Sequence, residues 1–487
     1  MLRTPLLLAV ALLCAACASD LTDPPPAGAQ HTDPAQETAA PTLLRERTPC
    51  NYPGVNGPAV CGTYSVYEDR DAGTGGTIHL AVVVLKARRP KPNRDPVVYF
   101  EGGPGGSAID RATFFSDVLA DVNLTRDLVF IDQRGTGHSG RLACDTPLPG
   151  GDASLFGSLF PDDHIQACAA RLSADADLRH YTTPYAVDDI DEVLEWLGYD
   201  AVNLFGTSYG TRAALVYLRR HPERVRSVLL NGVAPPHINI HLHDAANVEA
   251  ALNRLFSRCE ENAACAAQYP NLRADFETLL ARFEEGPVKV ALQSDDGPLT
   301  TVAFSRDDFG YAVRGLLYGS LAEKIAPWTT EAVATNTWSG FPAYYVERSR
   351  WVASEFATGM HLSIFCSEDL PFMTEAQVAE ATQGTFLGDF LIRRYERACK
   401  RWPRGAIPAV YHSLVSSEVP TLIISGERDP VTPATWGEEI RAALPNSRHI
   451  IVPDAGHVPL TPCVQSIQQA FINAGTVDGL DTACVGG

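Results

Sequence analysis

Gly206-Thr207-Ser208-Tyr209-Gly210 fits the pattern G-x-S-x-G. That pattern marks a tight turn that carries a chain from a strand into a helix and lifts a serine clear of the sheet. Small residues two before and two after the serine let the backbone turn without a clash. The flanks suit this reading. Val202-Asn203-Leu204-Phe205 is a short, largely apolar strand, and Thr211 to Arg220 (TRAALVYLRR) is the helix that follows. The turn nominates Ser208 as a nucleophile. The plainer alternative is a turn serine that caps a helix.

A serine hydroxyl is a weak nucleophile at neutral pH. It needs a base, and the base needs an orienting group. Behind a turn of this kind the partners follow the serine in the order acid, then histidine. Thr421 to Ser425 (TLIIS) is an apolar run that reads as a buried parallel strand. It ends in Gly426-Glu427-Arg428-Asp429-Pro430, which sets Asp429 at its carboxyl end. After a helix-like segment, Pro433 to Ala443, Arg448 to Val452 reads as another strand, closed by Pro453-Asp454-Ala455-Gly456-His457. Parallel strands would bring Asp429 and His457 to the edge of the sheet that holds Ser208, where such sheets bind ligands. The rivals are weaker. His138 precedes the serine, and Asp454 is only three residues from His457 on one loop, so it reaches the far ring nitrogen poorly.

Acyl transfer also needs donors for a developing oxyanion. One is expected from the backbone N–H of Tyr209, directly after the nucleophile. The other is expected from Gly103, in the loop Glu101-Gly102-Gly103-Pro104-Gly105-Gly106 that follows the strand Val97 to Phe100. Glycines let backbone amides approach a reacting carbonyl closely. A phosphate-cradling loop is a poor alternative, because Pro104 lacks an N–H and no Gly-Lys-Ser/Thr follows.

Strands expected at 78–85, 97–100, 128–132 and 225–230 alternate with helical patterns such as Val187 to Leu197 (VDDIDEVLEWL). This alternation predicts a mostly parallel sheet covered on both faces. From Pro235-Pro236 the rhythm changes, and 237–404 reads as a mostly helical cap inserted over the site. The expected order is a core at 48–236, the cap and insertion at 237–404, and the rest of the core at 405–487.

The 487 residues are 45% hydrophobic, enough for a large core with an insertion. A net charge of −19, from 58 acidic and 39 basic residues, argues against a nucleic-acid partner. No HExxH pattern occurs, the single Cys-x-x-Cys (Cys14 to Cys17) belongs to the apolar N-terminus and is not read as a zinc site, and no metal or cofactor is expected. Arg3 and the apolar run Pro5 to Leu13 read as an export signal, too short for a membrane span. Cys14-Ala15-Ala16-Cys17 reads as a lipobox with Cys17 lipidated, ending a signal peptide at 1–17, although Ala16-Cys17-Ala18 also suits ordinary cleavage. Residues 18–47, with Pro24-Pro25-Pro26, read as a disordered linker. The expected location is outside a bacterial cell membrane, either lipid-anchored at the envelope or secreted. The other ten cysteines are expected to form structural disulfides. Proximity in sequence suggests Cys50–Cys61, Cys144–Cys168, Cys259–Cys265, Cys366–Cys399 and Cys463–Cys484.

Three stretches together carry a resemblance: Glu101 to Gly106 (EGGPGG), Asp132 to Ser139 (DQRGTGHS) and Gly206 to Gly210 (GTSYG). They resemble the proline iminopeptidase family of serine aminopeptidases, which has the α/β-hydrolase fold. Gly426 to Pro433 (GERDPVTP), Asp454 to His457, Cys463 and Cys484 resemble its secreted tripeptidyl-aminopeptidase branch. The likeness spans roughly 48–485 apart from a variable middle. The family's first motif usually begins with His, where this chain has Glu101. The resemblance implies an α/β-hydrolase fold with an inserted helical cap. It also implies removal of one residue or a short peptide from a free N-terminus. The triad mechanism requires no cofactor, and a monomer is expected. An aminopeptidase must bind an α-ammonium group, best done by a partly buried carboxylate. By resemblance Glu368, in Cys366-Ser367-Glu368-Asp369, falls where this family places such a glutamate; a surface or capping role is the alternative. Glu260 and Glu261 are poorer candidates, and Asp132 and Arg134 are expected to brace the surrounding loops. A carboxylesterase or lipase-like hydrolase with the same triad is the alternative function, and a non-catalytic binding protein on this scaffold is the remaining one.

Overall fold

Four largely apolar stretches, Val97–Phe100, Leu128–Ile131, Val202–Thr207 and Thr421–Gly426, are buried at every position. Unbroken burial is what a strand covered on both faces requires. The structure, a computed structural model, describes residues 43–144, 151–157, 161–293, 299–319, 321–338 and 340–486. The expected signal peptide, Cys17 and the linker as far as residue 42 lie outside the described residues.

Eleven strands are described: β1 (Arg45–Cys50), β2 (Ala59–Tyr67), β3 (Thr77–Leu85), β4 (Val97–Phe100), β5 (Leu128–Ile131), β6 (Val202–Thr207), β7 (Val225–Asn231), β8 (Val288–Leu292), β9 (Thr300–Phe304), β10 (Thr421–Gly426) and β11 (Ser447–Val452). Nine form one sheet in the order β1-β2-β3-β5-β4-β6-β7-β10-β11. The pairs β1–β2, β2–β3 and β3–β5 are antiparallel. Every later pair is parallel. The order reverses at β4, which lies between β5 and β6, and sheets of this kind bind ligands outside the carboxyl ends of the strands at such a point.

Alternate residues feed two cores, as a period of two demands. Val98, Phe100, Val129 and Ile131 pack with the helices Thr183–Leu197 and Tyr209–Arg220. Val97, Tyr99, Leu128 and Phe130 pack on the other face with Ala112–Val118 and Pro462–Ala474.

The chain between β7 and β10 holds long helices, Ile240–Glu261, Arg306–Tyr318 and Gly340–Glu355 among them, together with the antiparallel hairpin β8–β9. A third core of Phe276, Phe283, Phe304, Phe309, Trp338 and Phe341 holds this insertion together. The end of the stretch expected as cap behaves differently. Met360, Phe365, Cys366, Cys399 and Trp402 join the core of the sheet.

Two details differ from the sequence reading. β1 starts at Arg45, inside the expected linker, because it pairs with β2 over its whole length and is tied to it by Cys50–Cys61. The insertion contains strands as well as helices. Five disulfides join Cys50–Cys61, Cys144–Cys168, Cys259–Cys265, Cys366–Cys399 and Cys463–Cys484. Among the described residues no helix is long and apolar enough to cross a membrane.

Candidate active site

β6 ends at Thr207, and the helix Tyr209–Arg220 begins two residues later, so Ser208 makes the whole turn. It does so at φ +54° and ψ −126°, a conformation that a residue with a Cβ rarely adopts. Its N–H is held by the carbonyl of Asn231 at 3.0 Å. The flanking glycines are required by space. A Cβ on Gly206 would lie 2.5 Å from the Gly210 carbonyl oxygen, and one on Gly210 only 2.0 Å from that of Phe100.

Phe100 ends β4 beside Gly206 of β6, so the glycine-rich loop leaves the sheet next to the serine. A Cβ on Gly102 would lie 3.1 Å from Ser208 Cβ. Gly103 has φ +118°, where glycine is favoured. Gly103, Ser208 and Tyr209 line one cavity of about 480 Å³.

Asp429 stands just beyond β10, and its carboxylate is buried. Oδ1 accepts the N–H groups of Val431 at 2.8 Å and Thr432 at 2.9 Å. Oδ2 accepts the Thr432 hydroxyl at 2.7 Å and faces Nδ1 of His457 at 2.7 Å. Donors on both oxygens hold the carboxylate in one orientation. The other ring nitrogen of His457, Nε2, is buried and has no hydrogen-bond partner among the described residues. The ring lies on the serine's edge of the sheet. A Cβ on Gly232, next to Asn231, would sit 3.2 Å from His457 Cε1.

Tyr318 of the insertion closes this corner. Its ring centroid is 4.6 Å from that of His457, and its carbonyl accepts the His457 N–H at 3.3 Å. Burial raises the pKa of its phenol, and its ring lines the same cavity as Ser208. Catalytic hydrogen bonds commonly tighten only once substrate is bound. Sequence reasoning missed Tyr318, which has no motif around it. It also missed Thr432, although Thr432 lies within Gly426 to Pro433.

The rival residues lie apart from the serine. The His138 side chain is 63% exposed and faces Asp110 at 3.4 Å. Asp454 pairs with Arg258 on the surface. Asp132 accepts Ser107 Oγ at 2.9 Å, Ile109 N at 3.0 Å and His138 N at 2.8 Å, which ties two loops together. Arg134 is buried, with two 2.7 Å bonds to Asp189 and bonds of 2.8 Å to the carbonyls of Glu68 and His180. Glu260 is exposed and pairs with Arg273. Glu261 is exposed.

Glu368 is not among the residues that line the cavity of Ser208. It lies in a π-helical stretch, Phe365–Asp369, and is fully buried at 0% exposure. Oε1 accepts the Thr183 N–H at 2.6 Å. Oε2 meets the hydroxyls of Thr183, at 2.8 Å, and of Tyr411. Burial pushes its pKa up to about 7. The next residue, Asp369, does line the cavity, where it faces Arg212 at 3.0 Å.

A family model described as alpha/beta hydrolase fold matches residues 95–461. The chain is 24% identical over 467 residues to a tripeptidyl aminopeptidase of Streptomyces lividans, which covers 88% of this chain and 84% of that protein. It is 23% identical over 488 residues to the serine protease Hip1 of Mycobacterium tuberculosis (strain ATCC 25618 / H37Rv), covering 90% of each. A proline iminopeptidase of Neisseria gonorrhoeae is 29% identical over 252 residues, 46% of this chain and 66% of that protein. The chain is a serine hydrolase and belongs to the α/β-hydrolase fold family.

Proposed function

We propose that the chain is an exported serine exopeptidase that removes one residue or a short peptide, of tripeptide or proline type, from free N-termini. The observation that carries this reading is the pair Asp429–His457. Its 2.7 Å bond occupies Nδ1 and leaves Nε2 as the nitrogen available to a serine on the same edge. The names of the relatives, two of which match most of the chain, support a peptide substrate. The five disulfides support export to an oxidising compartment.

In this mechanism His457 Nε2 takes the Ser208 proton as the hydroxyl attacks the scissile carbonyl, and Asp429 orients and stabilises the imidazolium. The N–H groups of Tyr209 and Gly103 hold the oxyanion. His457 then protonates the leaving amine, and water, deprotonated by the same nitrogen, releases the acyl group from Ser208. Asp369 takes over the ammonium-binding role first given to Glu368. It reaches the cavity, and a carboxylate that accepts from one arginine keeps lone pairs for a second cation.

One observation favours an esterase-like alternative. Among the described residues, the carboxylates of the wall are already paired: Asp152 with Arg350, Asp244 with Arg314 and Asp369 with Arg212. Chromophore release from Ala-Ala-Pro-anilide and from its N-acetylated twin separates the two readings. Cleavage of the free form alone is expected. Equal cleavage of both forms overturns the aminopeptidase reading.

A further inference from the structure

Charge on the cavity wall does not balance among the described residues. Arg212, Arg314 and Arg350 each face an aspartate. Two more arginines on the same wall, Arg348 and Arg394, have no carboxylate within salt-bridge distance and no hydrogen-bond acceptor among the described residues. Arg394 is 3% exposed, and its Nη1 is shut from solvent without an acceptor. Its guanidinium lies 5.8 Å from the ring of Tyr311 and 5.5 Å from that of Phe390. Asp307 feels its charge but does not reach it. Arg348 is half-buried and stacks 4.9 Å over Tyr318, the ring packed on His457, and 4.3 Å over Trp351. His361 on the same wall is neutral, its pKa pushed down to about 3 by burial.

An arginine cannot shed its proton, and a buried charge without a partner is unfavourable. Aromatic faces offset only part of that cost. In a chain of net charge −19, two spare cations inside the catalytic cavity fit an anionic guest. The planar guanidinium fork matches a carboxylate through two parallel hydrogen bonds.

We propose that Arg394, assisted by Arg348, forms a carboxylate subsite, so that the enzyme prefers peptides with a carboxylate close to the cleaved bond. This rests on the peptidase reading above. The carboxylate comes from a Glu or Asp side chain in the released segment or from the C-terminus of a short peptide.

The test compares kcat/KM for free-N-terminal tripeptide anilides with Glu or Gln at each of the three positions. A second arm compares an all-alanine pentapeptide ending in a carboxylate with its C-terminal amide. The wild type is expected to favour the carboxylate about ten-fold or more in one arm, the size of one charged hydrogen bond. The arm that responds identifies the source. In Arg394→Gln that ratio is expected to fall to about one, and Arg348→Gln is expected to lower it less. Arg394→Met is expected to keep or raise Tm, because it removes an uncompensated buried charge. Ratios near one in both arms for an active wild type would overturn the subsite. So would an Arg394→Met variant with a lower Tm and an unchanged ratio, the behaviour of a structural arginine. Cleavage of N-acetylated substrates would sink the aminopeptidase reading alone, since the Glu/Gln ratio is still measurable on them.

Discussion

Glu368 and Tyr209 are joined through one hydroxyl. Thr183 Oγ1 lies 2.8 Å from Glu368 Oε2 and 2.7 Å from the Tyr209 phenol. Tyr209 follows Ser208, so the buried glutamate braces the residue whose N–H is proposed to hold the oxyanion. Glu368→Ala would leave the Thr183 N–H and the Tyr411 hydroxyl without an acceptor and open a cavity. The expected loss is about 3 kcal/mol, read by chemical denaturation. Glu368→Gln, which mimics the protonated acid, is expected to cost about 1 kcal/mol or less. Discrimination between free and acetylated substrates should survive in Glu368→Gln. Its loss, with stability intact, would return the ammonium role to Glu368.

The same residue gives stability a pH dependence. Burial holds its folded-state pKa at about 7, above the ordinary 4.5. The folded state therefore binds the extra proton, and stability falls as pH rises between those values. The contribution is fully present below about pH 4.5 and lost as pH passes through about 7. The stability of wild type relative to Glu368→Gln should decline across this window. A flat difference from pH 4 to 8 would contradict the assignment.

Asp429→Asn removes the charge that orients His457 and is expected to lower kcat by about 10⁴-fold with KM little changed. Asp454→Asn, whose side chain pairs with Arg258, should stay within about three-fold of wild type. Comparable losses in the two variants would reopen the choice between these acids.

Gly210→Ala pushes a Cβ into the backbone of Phe100, a contact that no side-chain rotation relieves. The expected cost is about 3 kcal/mol or more, or failure to fold, read as Tm or soluble yield. A variant with wild-type Tm would mean that the turn is looser than described.

Much of the central sheet is legible in the sequence, because strands buried on both faces are written as unbroken apolar runs, as at Val97–Phe100 and Thr421–Gly426. β1 is not legible. Arg45 to Pro49 are exposed and polar in character, and only pairing with β2 makes them a strand. The elbow, Asp429 and His457 can be read because each sits in a turn at the end of such a run. The choice between Glu368 and Asp369 cannot. A π-helical stretch shifts the phase of the helix there, which turns Glu368 inward and leaves Asp369 on the cavity. Tyr318 and Arg394 come from helices distant in sequence from the elbow, and only tertiary packing brings them to the site.

The most direct measurement is mass spectrometry of the enzyme after rapid acid quench during turnover of a free-N-terminal peptide anilide. The account predicts a transient adduct with the mass of the released acyl group, located on Ser208 and absent from Ser208→Ala, which should be inactive. An adduct on another residue, or turnover that persists in Ser208→Ala, would contradict it.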